Sequence, residues 1–317
     1  MKKIISFLLS VLALTISGCN KNEVNSEPSS KHEHTYTKLI VKQEANKRTY
    51  LVGDDFDNDG LVVFGLCNTC KSVDQVNYSL QDDTDLSLEQ TSVKIVFKDL
   101  SLDYPIKVVE KYHIACVGDS LTEGHNWPSE SYPSKLSAIV DKDYEVGNFG
   151  KNGISITGYG GSWNNPEQRY IKQSMYTNSV NFNPDIFAIM LGTNDATGWA
   201  NAEATFDEYY HILLDSYIEK FPLAKFIMMV SPPTGDGNQF GIPNQTIKEE
   251  INPRQRDLAD EYGFELLDLR EEFEATPNYE ELYLRPTDNT GRKDRVHFSV
   301  EGAEYVADRV WEIAKDL

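Results

Sequence analysis

The pattern of apolar and polar positions along the chain changes character near residue 111. Before that point, short β-type runs such as YTKLIVKQ, LVVFGLC and VKIVF are separated by turn residues every few positions. Runs of this length and spacing are typical of antiparallel β-structure. Residues 35–110 are therefore predicted to form a small all-β sandwich domain.

Residues 111–317 alternate apolar runs with helical patterns. Five runs have the continuous apolar character of strands buried on both faces: YHIACVG, YEVGNFG, DIFAIMLG, KFIMMVSPP and FELLDLR. Helical patterns lie near residues 131–141, 202–221, 246–262 and 300–315, and Ser299 is placed to cap the last one. This alternation predicts an α/β domain, a parallel sheet with helices on both faces. In such sheets the ligand site forms at the carboxyl ends of the strands.

The first residues have the composition of an export signal. Two lysines precede an apolar run that extends from Ile4 to Ile16 and is too short to span a bilayer. The run ends in Ile16-Ser17-Gly18-Cys19, which resembles a bacterial lipobox, and the alternative is an ordinary signal peptide with a cysteine near its cleavage point. We expect residues 1–18 to be a lipoprotein signal peptide, Cys19 to be lipidated and residues 19–34 to be a flexible tether. The mature protein would then be exported and lipid-anchored at the cell membrane or cell surface.

Charge narrows the range of partners. The 317 residues carry a formal net charge of −20, whereas nucleic-acid binding requires a basic surface. The same charge disfavours attraction to anionic lipids, so contact with a membrane is expected only through the lipid anchor.

Three cysteines follow Cys19. Cys116 lies in a predicted strand and is expected to be a small buried apolar residue. Cys67 and Cys70 form the sequence CNTC, which predicts a local disulfide in an oxidising compartment. A zinc site that recruits His32 and His34 is the alternative, but both histidines fall in the predicted tether.

The predicted β domain contains a motif that imitates a calcium loop. Residues 55–60, DFDNDG, match the opening of an EF-hand loop, but the twelfth position, which should supply a bidentate glutamate, is Leu66. Because β-type runs rather than helices flank it, an acidic turn between strands is the better interpretation. The segment YLVGDDFDNDGLVV, with VNYSL after it, looks like part of the bacterial Ig-like domains found on surface proteins.

Polar clusters follow the predicted strands of the α/β domain at the edge where a ligand should bind. Gly118-Asp119-Ser120-Leu121 follows the first strand, a glycine-rich stretch that ends at Gly153 follows the second, and Gly192-Thr193-Asn194-Asp195 follows the third. Asp294 and His297 come after the fifth. Together they supply a nucleophile, a base, an orienting acid and oxyanion donors, which are the groups that acyl transfer needs.

These four blocks, in this order, resemble those of the SGNH or GDSL hydrolase family over roughly residues 112–317. The resemblance implies a flavodoxin-like three-layer α/β/α fold and ester hydrolysis without a metal or cofactor. It implies that Ser120 is the nucleophile, that Asp294 and His297 complete a triad, and that Ser120, Gly153 and Asn194 form the oxyanion hole. The G-x-S-x-G elbow of α/β-hydrolases is not matched, because position 122 is Thr122.

The residue types support these roles independently of the family. A serine hydroxyl needs an imidazole to take its proton, and an acid three residues before that imidazole can hold its other ring nitrogen. His125 is the alternative base, but it has no acidic partner at a comparable offset. Gly150 is the alternative to Gly153 as an oxyanion donor.

The loops after the predicted strands are polar, rich in glycine and contain four large aromatic residues, Trp127, Tyr159, Trp163 and Trp199. Aromatic rings among hydrogen-bonding groups suit sugars better than long acyl chains, although each ring is equally suited to packing a loop on the sheet. We expect an exported carbohydrate esterase that removes acetyl groups from a glycan. The alternatives are a lysophospholipase or short-acyl-ester lipase, and a surface-binding lipoprotein whose hydrolase domain is inactive.

Overall fold

The structure, a computed structural model, describes residues 34–69 and 71–316. The predicted signal peptide, Cys19 and nearly all of the predicted tether lie outside the described residues, as does Cys70. Lipidation of Cys19 and a disulfide between Cys67 and Cys70 therefore stay predictions.

The first part of the described chain is built from short strands alone. They are β1 (Lys38–Gln43), β2 (Thr49–Leu51), β3 (Val62–Leu66), β4 (Val73–Gln75), β5 (Ser79–Gln81), β6 (Ser92–Phe97), β7 (Leu100–Pro105) and β8 (Lys107–Val109). Two three-stranded antiparallel sheets, ordered β1-β3-β4 and β5-β6-β7, enclose a shared core, and β2 pairs with β8 in parallel. Alternate residues of β3 and β6 are buried, as expected for strands with one solvated face. The likeness to bacterial Ig-like domains stays a prediction.

The segment with the calcium-loop motif joins β2 to β3. Its carboxylates accept main-chain hydrogen bonds: Asp57 Oδ1 from the N–H of Asp59 at 2.9 Å, and Asp55 Oδ1 from the N–H of Asp85 at 2.9 Å. Asp and Asn side chains commonly stabilise turns through such local bonds.

The rest of the chain is an α/β fold, as predicted. Its central strands are β9 (Tyr112–Gly118), β10 (Tyr144–Gly150), β13 (Ile186–Met190), β14 (Lys225–Val230) and β15 (Glu265–Asp268). They form a parallel sheet in the order β10-β9-β13-β14-β15, which is the flavodoxin-like order. A small antiparallel pair, β11 (Tyr159–Gly160) and β12 (Trp163–Asn164), lies outside this sheet.

Helices cover both faces of the sheet. They are α1 (Ser120–Glu123), α2 (Tyr132–Ile139), α3 (Ser174–Asn181), α4 (Trp199–Ala202), α5 (Phe206–Lys220), α6 (Asn244–Thr246), α7 (Asn252–Tyr262), α8 (Leu269–Ala275), α9 (Tyr279–Tyr283) and α10 (Val300–Ala314). Side chains of β9 alternate between two cores: Ala115 and Val117 meet α5 and α7, whereas Ile114 and Cys116 meet α2 and α10. A strand buried on both faces must be apolar throughout, which explains the continuous apolar runs in the sequence.

The long predicted helices agree with the structure except in one place. The predicted helix near 246–262 is divided by a π-helical turn, Ile247–Ile251, before α7. Pro253 has no N–H to continue the α-helical hydrogen-bond pattern, which accounts for the interruption. Ser299 caps α10 as predicted, since its Oγ accepts the N–H of Gly302 at 2.9 Å. In the described parts of the chain, no helix is long and apolar enough to cross a membrane.

Candidate active site

The turn after β9 places Ser120 at the carboxyl edge of the sheet. Gly118 is required there, because a Cβ on it would lie 1.9 Å from Thr122 Oγ1 and 2.8 Å from the carbonyl oxygen of Met190. Asp119 then caps α1, its Oδ1 accepting the N–H of Leu121 at 2.9 Å. Ser120 is the first residue of this helix, a position whose N–H has no partner within the helix.

Ser120, His297 and Asp294 form a continuous hydrogen-bonded chain. Nε2 of His297 lies 3.0 Å from Ser120 Oγ, and Nδ1 lies 2.9 Å from Asp294 Oδ2 and 3.0 Å from Oδ1. Since Nδ1 faces carboxylate oxygens, it is the nitrogen that carries the proton, and Nε2 accepts from the serine hydroxyl. The geometry is that of a nucleophile, a base and an orienting acid.

Asp294 is held in place by main-chain hydrogen bonds. Its Oδ1 accepts the N–H of Val296 at 3.0 Å and the N–H of His297 at 3.0 Å. Burial opposes ionisation, but hydrogen bonding and charge attraction from His297, together with these two N–H groups, keep the pKa of Asp294 below its ordinary value. The aspartate is therefore ionised at neutral pH.

The structure distinguishes between the two glycines that we considered as oxyanion donors. Gly153 adopts a positive φ of 69° and lines the pocket beside Ser120. Gly150 is the last residue of β10 and packs against α1, where a Cβ would lie 2.1 Å from the nitrogen of Glu123. The close packing of β10 on α1 thus depends on Gly150, while Gly153 is the glycine near the serine.

Asn194 also lines this pocket, but its amide is engaged with the protein. Nδ2 donates to the carbonyl of Ile154 at 2.9 Å and to Asp119 Oδ2 at 3.2 Å. Both amide hydrogens therefore have acceptors, and the bond to Asp119 is the longer. A substrate oxygen that gains negative charge would have to compete for that hydrogen.

Two buried acidic residues, Asp119 and Asp195, lie next to the candidate site. Burial, with a contribution from the neighbouring carboxylate, raises the pKa of Asp119 to about 7, and burial raises that of Asp195 to about 6. Asp195 accepts the N–H groups of Ile156 and Thr157 at 2.9 and 3.0 Å. It thereby ties the loop after β10 to the end of β13. The sequence analysis assigned neither residue to catalysis; their place directly after apolar strands was the available signal.

The pocket next to Ser120 has a volume of about 190 Å³. Small or polar residues line most of it, and two apolar side chains and two imidazoles complete the lining. The small or polar residues are Ser120, Asn152, Gly153, Gly161, Ser162, Asn194 and Thr197; the others are Phe240, Ile242, His125 and His297. Phe240 was not expected at the site; it belongs to the loop after β14, and its aromatic character at the carboxyl edge was the only sequence signal. The main-chain N–H of His125 donates to the carbonyl of Ser120 at 3.1 Å, but within residues 34–69 and 71–316 no hydrogen bond joins the imidazole of His125 to Ser120 Oγ.

The four aromatic residues proposed as substrate contacts lie in different surroundings. Trp127 is near the serine, with the guanidinium of Arg285 3.9 Å from its ring centre, and the two border a small recess beside Ser120. Trp163 and Trp199 pack on the apolar core between the sheet and α5. Tyr159 lies in β11, against the backbone of Gly198. Only Trp127 is therefore brought to the candidate site.

Several solved structures are similar to this chain, and the first of those named here supports the fold. One crystal structure, 20% identical, matches 65% of this chain and 97% of its own with a TM-score of 0.51. The acetyl xylan esterase AlAXEase, 20% identical, matches 63% of this chain and 98% of its own with a TM-score of 0.48. An M. smegmatis aryl esterase, 18% identical, matches 65% and 99% with a TM-score of 0.49.

Sequence comparison assigns the family. A curated acetylxylan esterase from Xylanibacter ruminicola is 23% identical over 185 residues, which are 52% of this chain. That alignment spans 37% of the relative, so this chain matches well under half of its length. The model of the GDSL-like lipase/acylhydrolase family matches residues 116–305, which is more than half of the chain and includes every residue of the proposed triad and oxyanion hole. The chain therefore belongs to the GDSL-like lipase/acylhydrolase family.

Proposed function

We propose that this protein is a serine esterase that acts through Ser120, His297 and Asp294 and removes O-acetyl groups from a glycan. The observation that carries the proposal is the 3.0 Å contact between Ser120 Oγ and His297 Nε2 at the wall of an open pocket. A hydroxyl in that position can pass its proton to the imidazole as it attacks an ester carbonyl.

The proposed reaction has two halves. In the first, Ser120 Oγ bonds to the acyl carbon, its proton moves to His297 Nε2, and the carbonyl oxygen becomes an oxyanion. The tetrahedral intermediate then collapses as the C–O bond breaks, and the leaving alkoxide takes the proton from Nε2. In the second half, water replaces the hydroxyl as the attacking group and releases the carboxylic acid and free Ser120.

Three donors are available for the oxyanion. Ser120 and Gly153 line the pocket and we assign their main-chain N–H groups to the oxyanion, while the Asn194 amide supplies a hydrogen shared with Asp119. Donors already fixed by the fold stabilise the oxyanion without reorganising during the reaction. We assign to Asp294 the role of fixing the tautomer of His297 and stabilising its positive charge.

The size and chemistry of the pocket support a short acyl group. Its volume of about 190 Å³ lies below the roughly 300–1,000 Å³ of pockets that enclose larger ligands. Its lining offers hydroxyl and amide groups from Asn152, Ser162 and Thr197, with Phe240 and Ile242 as apolar surface. The acetylxylan esterase relative supports acetyl esters of sugars as the substrate class. With three of the four aromatic residues away from the serine, the choice of a short acyl group rests on the pocket rather than on those rings.

A panel of substrates tests the proposal. Rates are measured on p-nitrophenyl acetate, butyrate and octanoate, on a lysophospholipid, and as acetate release from acetylated polysaccharides and sialoglycans. We expect kcat/KM for the acetate ester to exceed that for the octanoate by at least about tenfold, because added methylenes do not fit the pocket. Ser120→Ala is the inactive reference, and Ser134→Ala on α2 is the matched control.

Two outcomes would overturn it. Equal or faster hydrolysis of the octanoate or the lysophospholipid would identify an acyl-lipid hydrolase. No turnover of any ester above the Ser120→Ala background would favour a surface-binding lipoprotein with an inactive hydrolase domain.

We further propose export and anchoring through Cys19, supported by the sequence of residues 1–19. The full chain is expressed in a bacterial host with labelled palmitate and compared with its Cys19→Ala variant. The label and the membrane association should both be lost in the variant. A membrane fraction that stays unchanged in Cys19→Ala would contradict lipidation at this residue.

A further inference from the structure

A second imidazole lies against the proposed base. The ring of His125 is parallel to that of His297, with centroids 4.1 Å apart and an angle of 2° between the planes. Phe240 stands perpendicular to both rings, its centroid 5.0 Å from His297 and 5.7 Å from His125. One face of the His297 ring is therefore covered by His125.

His125 occupies this position through an unusual backbone conformation. It follows Gly124, the C-cap of α1, and has a positive φ of 48°. Such a φ is uncommon for a residue other than glycine, although His, Asn and Asp adopt it more readily than most. The turn that presents Ser120 thus continues into the turn that presents His125.

The surroundings of His125 disfavour its charged form. Its Nδ1 is buried and has no hydrogen-bond partner among the described residues. Burial lowers the pKa of His125, and the neighbouring imidazole of His297 lowers it further, against weaker opposing effects from Asn152, Asp294 and Asp288. Glu123 on α1 is a further titratable group that interacts with His297.

The two rings compete for one proton, and only His297 has a carboxylate in contact. Its Nδ1 lies 2.9 Å from Asp294 Oδ2, whereas the buried nitrogen of His125 has no such partner. Two imidazolium ions 4.1 Å apart would repel one another, so simultaneous positive charge on both rings is unfavourable. The carboxylate of Asp294 favours the positive charge on His297 rather than on His125.

We propose that His125 is a positioning residue that stabilises the imidazolium formed on His297 during ester hydrolysis. Its neutral ring offers a π face to the cation and holds the ring of His297 in the plane that joins Ser120 to Asp294. A cation over an aromatic face is attracted by the ring quadrupole. Because the charge exists only after Ser120 gives up its proton, the effect falls on kcat rather than on KM. This inference rests on the proposed function.

Two substitutions distinguish the effect of the aromatic ring at position 125 from the effect of its protonation. His125→Asn removes the ring, and asparagine adopts a positive φ readily. His125→Phe keeps a flat π face but has no titratable group. We expect His125→Asn to lower kcat on p-nitrophenyl acetate by about tenfold, with KM within about twofold. His125→Phe should restore kcat to within about threefold of the wild type. His211→Asn on α5 is the matched control.

The pH profile distinguishes this role from simple packing. Without the ring, positive charge on His297 is less stable, so the acid limb of kcat/KM should move to lower pH in His125→Asn and return in His125→Phe. An acid limb that does not move, or that moves to higher pH, would overturn the proposal. If His125→Phe does not fold, as judged by thermal unfolding, the direction of the shift in His125→Asn still decides.

A measurement independent of turnover separates the two proposals. The protonation of the His297 ring is followed by NMR in the wild type and in His125→Asn. The midpoint should fall in the variant even if the protein hydrolyses none of the esters tested. An unchanged midpoint would reject the role of His125. The activity of Ser120→Ala tests only the proposed esterase function and does not bear on His125.

Discussion

Replacing Asp294 with asparagine should disable His297 and preserve the fold. The oxygen of the new side chain can take the place of Oδ1 and accept both main-chain N–H groups, now at 3.0 Å. Its nitrogen would then stand where Oδ2 does, 2.9 Å from His297 Nδ1, while the retained oxygen, 3.0 Å from Nδ1, already accepts two main-chain N–H groups. The amide N–H therefore favours the tautomer with its proton on Nε2, and an Nε2–H cannot accept the proton of Ser120.

The expected loss follows from the wrong tautomer and the missing negative charge. We expect kcat to fall by up to about 10⁴-fold at neutral pH, which corresponds to about 5 kcal/mol of transition-state stabilisation. The assay is kcat on p-nitrophenyl acetate with thermal unfolding of the same samples, and Asp308→Asn on the exposed side of α10 is the control. A variant that folds normally and loses less than tenfold in kcat would show that Asp294 does not orient the base.

Three further predictions follow from the same contacts. Ser120→Ala should lower kcat by about 10⁴-fold or more with an unchanged melting temperature, and wild-type activity in that variant would remove Ser120 from the mechanism. Asn194→Ala should lower kcat by about 10²-fold and also lower the melting temperature, because Asp119 loses a buried donor; a change in KM alone would make Asn194 a ground-state binder. Burial raises the pKa of Asp119 to about 7 from an ordinary value of 3.8, so the native state retains a proton that the unfolded chain loses in this range. The free energy of unfolding attributable to this group should therefore fall as pH rises from about 4 to about 7, and Asp119→Asn should flatten the dependence of melting temperature on pH; equal slopes in both proteins would contradict it.

The sequence by itself determined the elements of the α/β fold and much of the local chemistry. The runs predicted for β9 and β10 coincide with the strands Tyr112–Gly118 and Tyr144–Gly150. The last five residues of β9 are buried, which explains its continuous apolar run, whereas β10 lies at the edge of the sheet and exposes Glu145 and Asn148. Ser299 could be identified as a helix cap from the sequence, because its hydroxyl bonds to the main chain of Gly302, only three residues further on. The relation between Asp294 and His297 is equally local, and their contact was expected from spacing alone.

Only the tertiary structure decided which distant residues meet at Ser120. His297 lies 177 positions away and reaches the serine hydroxyl because strand order and crossovers bring two loops to one edge of the sheet. The same folding stacks His125 on that imidazole, brings Phe240 beside them, and packs the partly buried Trp163 and Trp199 against the core. Periodicity reports whether a side chain is buried, but carries no information about which remote side chain it touches. Pocket volume and the pairing of buried polar groups depend on those remote contacts, so they follow from the packed fold alone.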